Sequence, residues 1–214
     1  GYTAYDAIPH FEQIIFNPVK TTDPIPQIQY ALYRYLIVFH HFHDTLTLIE
    51  NLPDGSESGL DRLESVLKGP ANTGFQFRTK GAEIASNTTT EYLEMVAKGK
   101  AACQAGEVFQ IVLSRRFSQG FEGDDFNVYR ALRTINPSPY LYYFDYGNFR
   151  LMGSSPEAQV ISNGKNAEIH PIAGTFKRTG NDEEDKALSV KLLEDAKENA
   201  EHVMLVDLAR NDLS

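Results

Sequence analysis

Residues 170–175 read HPIAGT and residues 197–212 read KENAEHVMLVDLARND, with an acidic stretch between them. The first segment closes a predicted strand on a Gly-Thr turn, which offers close backbone approach and a hydroxyl group. The second is typical of a helix that carries carboxylates three and four residues apart. Strands followed by long helices predict an α+β fold, with large antiparallel sheets covered by helices.

The acids of this region need a physical explanation. Residues 181–201 contain eight acids and three lysines, a net charge of −5 in a chain whose net charge is −9. The first acids follow Asn181, which can cap a helix, and they favour its dipole. Glu194, Glu198 and Glu201 have spacings that place them on one predicted helix face, where they repel one another. Two interpretations remain open: a solvated acidic face, or a site for Mg²⁺, which accepts one or two carboxylates together with water and an anionic substrate.

Composition limits the classes of function. A chain of 214 residues that is 42% hydrophobic predicts a buried core. Its net charge of −9 argues against a nucleic-acid or membrane-surface partner. The single cysteine, Cys103, excludes an internal disulfide and a cysteine-based zinc cluster. No apolar run is long enough for a membrane span, so we expect a cytoplasmic protein.

The first half of the chain predicts a hairpin and a helix. Residues 31–39 and 45–49 read as paired strands, and residues 57–68 as a helix followed by a surface linker that reaches Gly81. Three histidines lie between the strands. Their spacing fits no common set of metal ligands, so the pattern indicates a loop cluster. They are His40, His41 and His43.

The second half predicts a capped helix, a strand, a short helix and a meander. Thr88 and Glu91 form a capping box for a helix. Residues 107–117 read as a strand on which Gln110 has apolar neighbours and needs a polar partner. The helix capped by Thr88 and Glu91 has a predicted apolar side of Tyr92, Met95, Val96 and Cys103. The other predicted elements are a helix at 126–135, strands at 140–146 and 149–153 joined by Gly147-Asn148, and strands at 158–162 and 165–170 joined by Asn163-Gly164.

Five ordered motifs carry a family resemblance. Together they resemble the chorismate-utilising enzymes, and within them the large subunits (component I) of anthranilate synthases. The likeness is strong over residues 86–214 and faint over residues 1–50. It implies that residues 1–80 are part of an N-terminal subdomain with a linker and that residues 81–214 begin the chorismate-binding catalytic domain. The motifs are residues 106–116 (GEVFQIVLSRR), 136–140 (NPSPY), 153–157 (GSSPE), 171–175 (PIAGT) and 201–212.

The resemblance implies a Mg²⁺-dependent lyase of tryptophan biosynthesis. Such an enzyme adds ammonia to chorismate and eliminates pyruvate, which leaves anthranilate. The ammonia would come from a glutamine amidotransferase subunit. Because relatives of this kind continue well beyond residue 214, we expect residues 1–214 alone to give no turnover.

The resemblance also implies roles for particular residues. Glu157 and Thr175 would be catalytic, with Gly174, Thr175 and Gln110 at the substrate. Glu201 would ligate the metal and Glu198 would lie in its surroundings. The segment Pro137, Ser138 and Pro139 would contribute to a feedback pocket for tryptophan, whose other half lies nearer the N-terminus of such enzymes.

Three alternatives remain. Aminodeoxychorismate synthases of folate synthesis often have a lysine where this chain has Ala173. Isochorismate and salicylate synthases have a water-activating lysine where it has Gln110. Both positions therefore favour anthranilate as the product. A non-catalytic fragment that binds a metabolite is the alternative of a different class.

Overall fold

The computed structural model describes residues 1–15, 25–70, 74 and 76–214. The chain divides into two compact units, residues 1–124 and residues 125–214. The boundary predicted between residues 80 and 81 remains a prediction, although one strand runs from residue 77 to residue 85. No helix in the described residues is long and apolar enough to cross a membrane.

In its described residues, the first unit combines antiparallel strand pairs with two α-helices and one 3-10 helix. Strands β1 and β2, β3 and β4, and β5 and β6 pair with one another. The elements are β1 (Tyr2–Thr3), the 3-10 helix (Tyr5–His10), β2 (Ile28–Gln29), β3 (Tyr35–His40), β4 (Thr45–Glu50), α1 (Leu60–Lys68), β5 (Phe77–Ala85), α2 (Thr89–Gln104) and β6 (Phe117–Gly123).

The second unit begins with a helix on a hairpin and ends with two helices. Helix α3 contacts β7 and β8, with the Phe126 ring edge-on to the Tyr143 ring at a centroid distance of 5.1 Å. The elements are α3 (Phe126–Ile135), β7 (Tyr140–Asp145), β8 (Arg150–Ser155), β9 (Ile161–Asn163), β10 (Asn166–Glu168), α4 (Asp182–Glu194) and α5 (Ala196–Asp212).

Several locally encoded elements are confirmed. The Thr88 hydroxyl accepts from the Glu91 N–H at 3.2 Å, and the Glu91 carboxylate accepts from the Thr88 N–H at 2.7 Å, as a capping box requires. Helix α3 has the predicted bounds. The Tyr146 N–H donates to the Phe149 carbonyl at 3.0 Å, which closes the predicted two-residue turn. The α+β class with antiparallel pairing is confirmed.

Other predictions about elements were wrong. Residues 77–81 belong to strand β5 rather than to a surface linker, because residues 77–80 pair with β6. Cys103 is exposed, and Gly99 and Ala102 take its place on the packed side of α2. The second hairpin pairs Asn163 with Asn166, so its loop is one residue later than predicted.

The predicted strand at residues 107–117 is another correction. Only Phe117 lies in a strand, because the residues before it have no ladder partner in the part of the chain that the structure describes. Ile111 and Leu113 nevertheless pack on Gly99 of α2, where a Cβ would lie 3.3 Å from Ile111 Cγ2 and 3.1 Å from Leu113 Cδ1. Two alternate side chains of the segment therefore pack on α2 without forming a sheet.

The buried core predicted from composition is also absent from the described residues. Ala7 is their one fully buried hydrophobic side chain, whereas Phe109 is 86% exposed and Val112 is 87% exposed. The described strands pair two by two, and a two-stranded hairpin needs a further strand or helix to cover its apolar faces. The apolar content is thus spread over open faces.

Candidate active site

Gly174 lies directly against the Glu198 carboxylate. A Cβ built on Gly174 would overlap a Glu198 carboxylate oxygen and would lie 2.5 Å from Glu198 Cδ. No side chain larger than hydrogen fits there unless Glu198 moves. The Gly-Thr turn and the carboxylate-bearing helix α5 therefore meet in the second unit. The sequence pattern indicated the two segments but did not show this contact.

Asp195 orients the helix that carries Glu198. Its Oδ1 accepts from the Lys197 N–H at 2.9 Å and from the Glu198 N–H at 3.0 Å, and α5 begins at Ala196. An N-cap of this kind satisfies backbone donors that a first helical turn otherwise leaves unpaired. Sequence reasoning missed it, although Asp195 followed three residues later by Glu198 is the spacing of a capping box.

This cap corrects the predicted alignment of three glutamates. Helix α4 ends at Glu194, so Glu194 does not share a helix with Glu198 and Glu201. Glu194 is exposed, whereas the Glu198 side chain is 19% exposed and Glu201 is half-buried. Glu198 and Glu201, three residues apart, share one face of α5. The acidic pair is therefore turned towards protein rather than standing on a fully solvated face.

The two carboxylates differ in their partners. Lys197 Nζ lies 3.4 Å from Glu198 Oε1, so a neighbouring lysine offsets the charge of Glu198. The Lys197 side chain is mostly exposed, and an ion pair of this kind contributes at most about 1 kcal/mol. The Glu201 carboxylate makes no hydrogen bond or ion pair with any described residue. Glu201 is thus a half-buried carboxylate available to a ligand.

This donor set fits a hard divalent cation that brings other ligands with it. In the described residues, no three His, Cys, Asp or Glu side chains converge as a metal site. Mg²⁺ does not need a full protein cage, because it keeps water and takes substrate oxygens beside one or two carboxylates. Glu198 and Glu201 could supply the protein part of such a shell.

Glu157 follows β8 and is positioned by its backbone. Its N–H donates to Ser155 Oγ at 3.2 Å, and Ser155 Oγ donates to the Glu157 carbonyl at 3.0 Å. The side chain of Glu157 is exposed. Glu157 lies in the same unit as Gly174 and Glu198.

The predicted feedback segment is attached to the same strand. Ser154 Oγ donates to the Asn136 carbonyl at 2.6 Å and lies 2.8 Å from Ser138 Oγ. Ser154 therefore contacts the Pro137–Pro139 turn, and Ser155 contacts Glu157. Sequence reasoning missed Ser154, for which the adjacent serines of GSSPE were the only signal.

Gln110 lies in the first unit and the other predicted site residues lie in the second. Gln110 is exposed and has no hydrogen bond to any described residue, so the polar partner predicted for it is not found there. Leu113, three residues further along, contacts α2, since Tyr92 Oη donates to the Leu113 carbonyl at 3.3 Å. The role of Gln110 at a substrate remains a prediction.

The chain belongs to the chorismate binding enzyme family, whose sequence model matches residues 1–214. It is 38% identical over 230 residues to anthranilate synthase component 1 of Acetivibrio thermocellus, covering 100% of this chain and 46% of that protein. It is 39% identical over 218 residues to the same component of Thermus thermophilus, covering 100% of this chain and 47% of that protein.

A solved structure shares the fold. The crystal structure of anthranilate synthase component I from Streptococcus pneumoniae TIGR4 matches with a TM-score of 0.80 and 34% identity, covering 99% of this chain and 48% of that chain. This match confirms the predicted fold class, and the family membership confirms the resemblance to chorismate-utilising enzymes. The chain spans about half the length of the relatives it matches.

Proposed function

We propose that the full-length protein is an anthranilate synthase component I, which converts chorismate and ammonia to anthranilate, pyruvate and water. The observation that carries this proposal is the contact between Gly174 and Glu198, which joins the glycine turn to the acidic helix. The names of the similar proteins support the same reaction.

The chain's own residues would divide the work as follows. Gly174 and Thr175 would present backbone and hydroxyl groups to the substrate, and Glu157 would act beside them as an acid or base. Glu201 would ligate Mg²⁺, with Glu198 next to it. When bound, the cation would stabilise the negative charge that builds up on a substrate carboxylate as hydroxide and enolpyruvate leave.

Two positions support anthranilate over related products. A lysine at residue 173 could attack the ring and a lysine at residue 110 could activate water, whereas Ala173 and Gln110 can do neither. External ammonia is then the nucleophile. The word component in the names of the relatives supports a second subunit, and we propose that it is a glutamine amidotransferase that supplies the ammonia. The exposed lone cysteine is compatible with our proposal of a cytoplasmic location.

Product analysis of the full-length protein tests this function. Chorismate, ammonia and Mg²⁺ should give anthranilate and pyruvate in equal amounts. A 4-aminobenzoate precursor or isochorismate as the main product would refute the proposal in favour of the related enzymes, and binding of chorismate without turnover would favour a metabolite sensor. Adding tryptophan tests whether the Pro137–Pro139 segment belongs to a feedback site.

A further inference from the structure

The segment that carries Gly174 and Thr175 has little backbone support. Residues 169–179 lie in neither a helix nor a strand. Within the structure's described ranges, no backbone–backbone hydrogen bond involves residues 169–178. The placement of Gly174 and Thr175 must therefore come from side chains.

Asp185 supplies such side-chain support from the first turn of α4. Its Oδ1 accepts from the Thr179 N–H at 2.7 Å and from the Thr179 hydroxyl at 3.0 Å, and its Oδ2 accepts from Arg178 Nε at 3.0 Å. The Asp185 side chain is only 13% exposed, although Arg178 is largely exposed. One carboxylate thus binds two consecutive residues of the segment.

The pKa of Asp185 agrees with this arrangement. The Thr179 N–H and then the Arg178 guanidinium hold it below the ordinary value for an aspartate, despite partial burial. The carboxylate therefore stays ionised at neutral pH. A charged acceptor makes stronger hydrogen bonds than a neutral one.

The stretch from Gly174 to Thr179 within this segment is contacted at both of its ends. At one end Gly174 lies against Glu198 of α5. At the other end Asp185 binds Arg178 and Thr179, which are four and five residues further along. Between them, Phe176 lines a cleft with the α4 leucines on the same side of the helix as Asp185, namely Leu188 and Leu192.

We propose that Asp185 is a positioning residue, whose carboxylate holds the Arg178–Thr179 end of the segment on α4 and so fixes where Gly174 and Thr175 meet the substrate. This proposal rests on the proposed function, because it assigns the substrate to Gly174 and Thr175. By sequence alone, Asp185 is one of the first-turn acids that favour the dipole of α4.

The structure offers a matched control. Asp182 is in the same first turn of α4, is exposed, and makes no hydrogen bond with the described residues. Asp182→Asn and Asp185→Asn each remove one charge from the same helix end, and so lose similar dipole stabilisation. Only Asp185→Asn also replaces one of the two acceptor oxygens that bind Arg178 and Thr179 by an NH2 donor.

Steady-state kinetics of the full-length protein give the first test. A misplacement of about 1 Å can cost on the order of 100-fold in rate, so we expect Asp185→Asn to lower kcat/KM for chorismate at least roughly tenfold, against less than about twofold for Asp182→Asn. Adding Arg178→Gln to Asp185→Asn should cause little further loss, because both changes break the same contact. Equal kcat/KM for the two aspartate variants would overturn the proposal.

Amide hydrogen exchange gives a second test that does not need activity. The Thr179 amide, whose N–H donates to Asp185, should exchange faster in Asp185→Ala, which removes both acceptor oxygens, than in Asp182→Ala, with α5 peptides unchanged. Unchanged exchange of the Thr179 amide would overturn the proposed contact itself. A wild-type protein without turnover would refute the proposed function, and the exchange result would still decide whether Asp185 holds the segment.

Discussion

Replacing Gly174 by alanine should damage catalysis far more than stability. The new Cβ would lie 2.5 Å from Glu198 Cδ, about 1 Å inside ordinary van der Waals contact. The Glu198 side chain would turn to a less favourable rotamer, at a cost of about 1 kcal/mol. Moving a carboxylate at the proposed substrate site by about 1 Å should instead lower the rate roughly 100-fold, or about 2.7 kcal/mol of transition-state stabilisation.

The double variant with Glu198→Asp tests this explanation. Aspartate is one methylene shorter than glutamate, so its carboxylate leaves room for the alanine methyl group. Gly174→Ala should therefore cost less free energy of unfolding in the Glu198→Asp background than in the wild type, as measured by urea denaturation of the full-length protein. The coupling should be about 1 kcal/mol.

The kinetic assay measures anthranilate formation at saturating ammonia and Mg²⁺ for the wild type, both single variants and the double variant. Ala167→Gly is the control, because it changes one methyl group on an exposed residue of β10 in the same unit. If Gly174→Ala keeps kcat/KM within about twofold of the wild type, or if the two substitutions act additively on unfolding, the contact with Glu198 does not limit this site.

The remaining predictions concern the metal, a helix cap and pH. Glu201→Gln should weaken Mg²⁺ binding in the presence of chorismate without lowering the stability of the metal-free protein; unchanged affinity by calorimetry would contradict its role as a metal ligand. Thr88→Ala should lower the free energy of unfolding by about 1 kcal/mol in urea denaturation, against little change for Thr90→Ala, which has no cap contact. Lys80 holds the pKa of Glu122 below its ordinary value. The ion pair therefore stabilises the folded state above the unfolded-state pKa, and this stabilisation is lost as pH falls through the folded-state pKa. Glu122→Gln should reduce the loss of stability at acidic pH, and an unchanged profile of stability against pH would contradict this prediction.

The amino-acid sequence determined the features that depend on neighbours along the chain. The α2 capping box joins residues three apart, and the Gly147-Asn148 turn joins two strands through two residues. Interactions of this range depend mainly on residues a few positions apart, so spacing can predict them. The ordered motifs also identified the family, which the comparison with known proteins confirmed.

The tertiary structure decided which of these segments meet. Spacing placed Glu194, Glu198 and Glu201 on one helix, but Asp195 ends one helix and begins the next, because its carboxylate binds the following N–H groups. The sequence likewise showed a glycine turn and an acidic helix, without showing that Gly174 touches Glu198. The Gly174–Glu198 contact joins residues far apart in the chain, so it depends on the path of the backbone between them and not on local propensity, whereas the Asp195 cap spans only two and three residues.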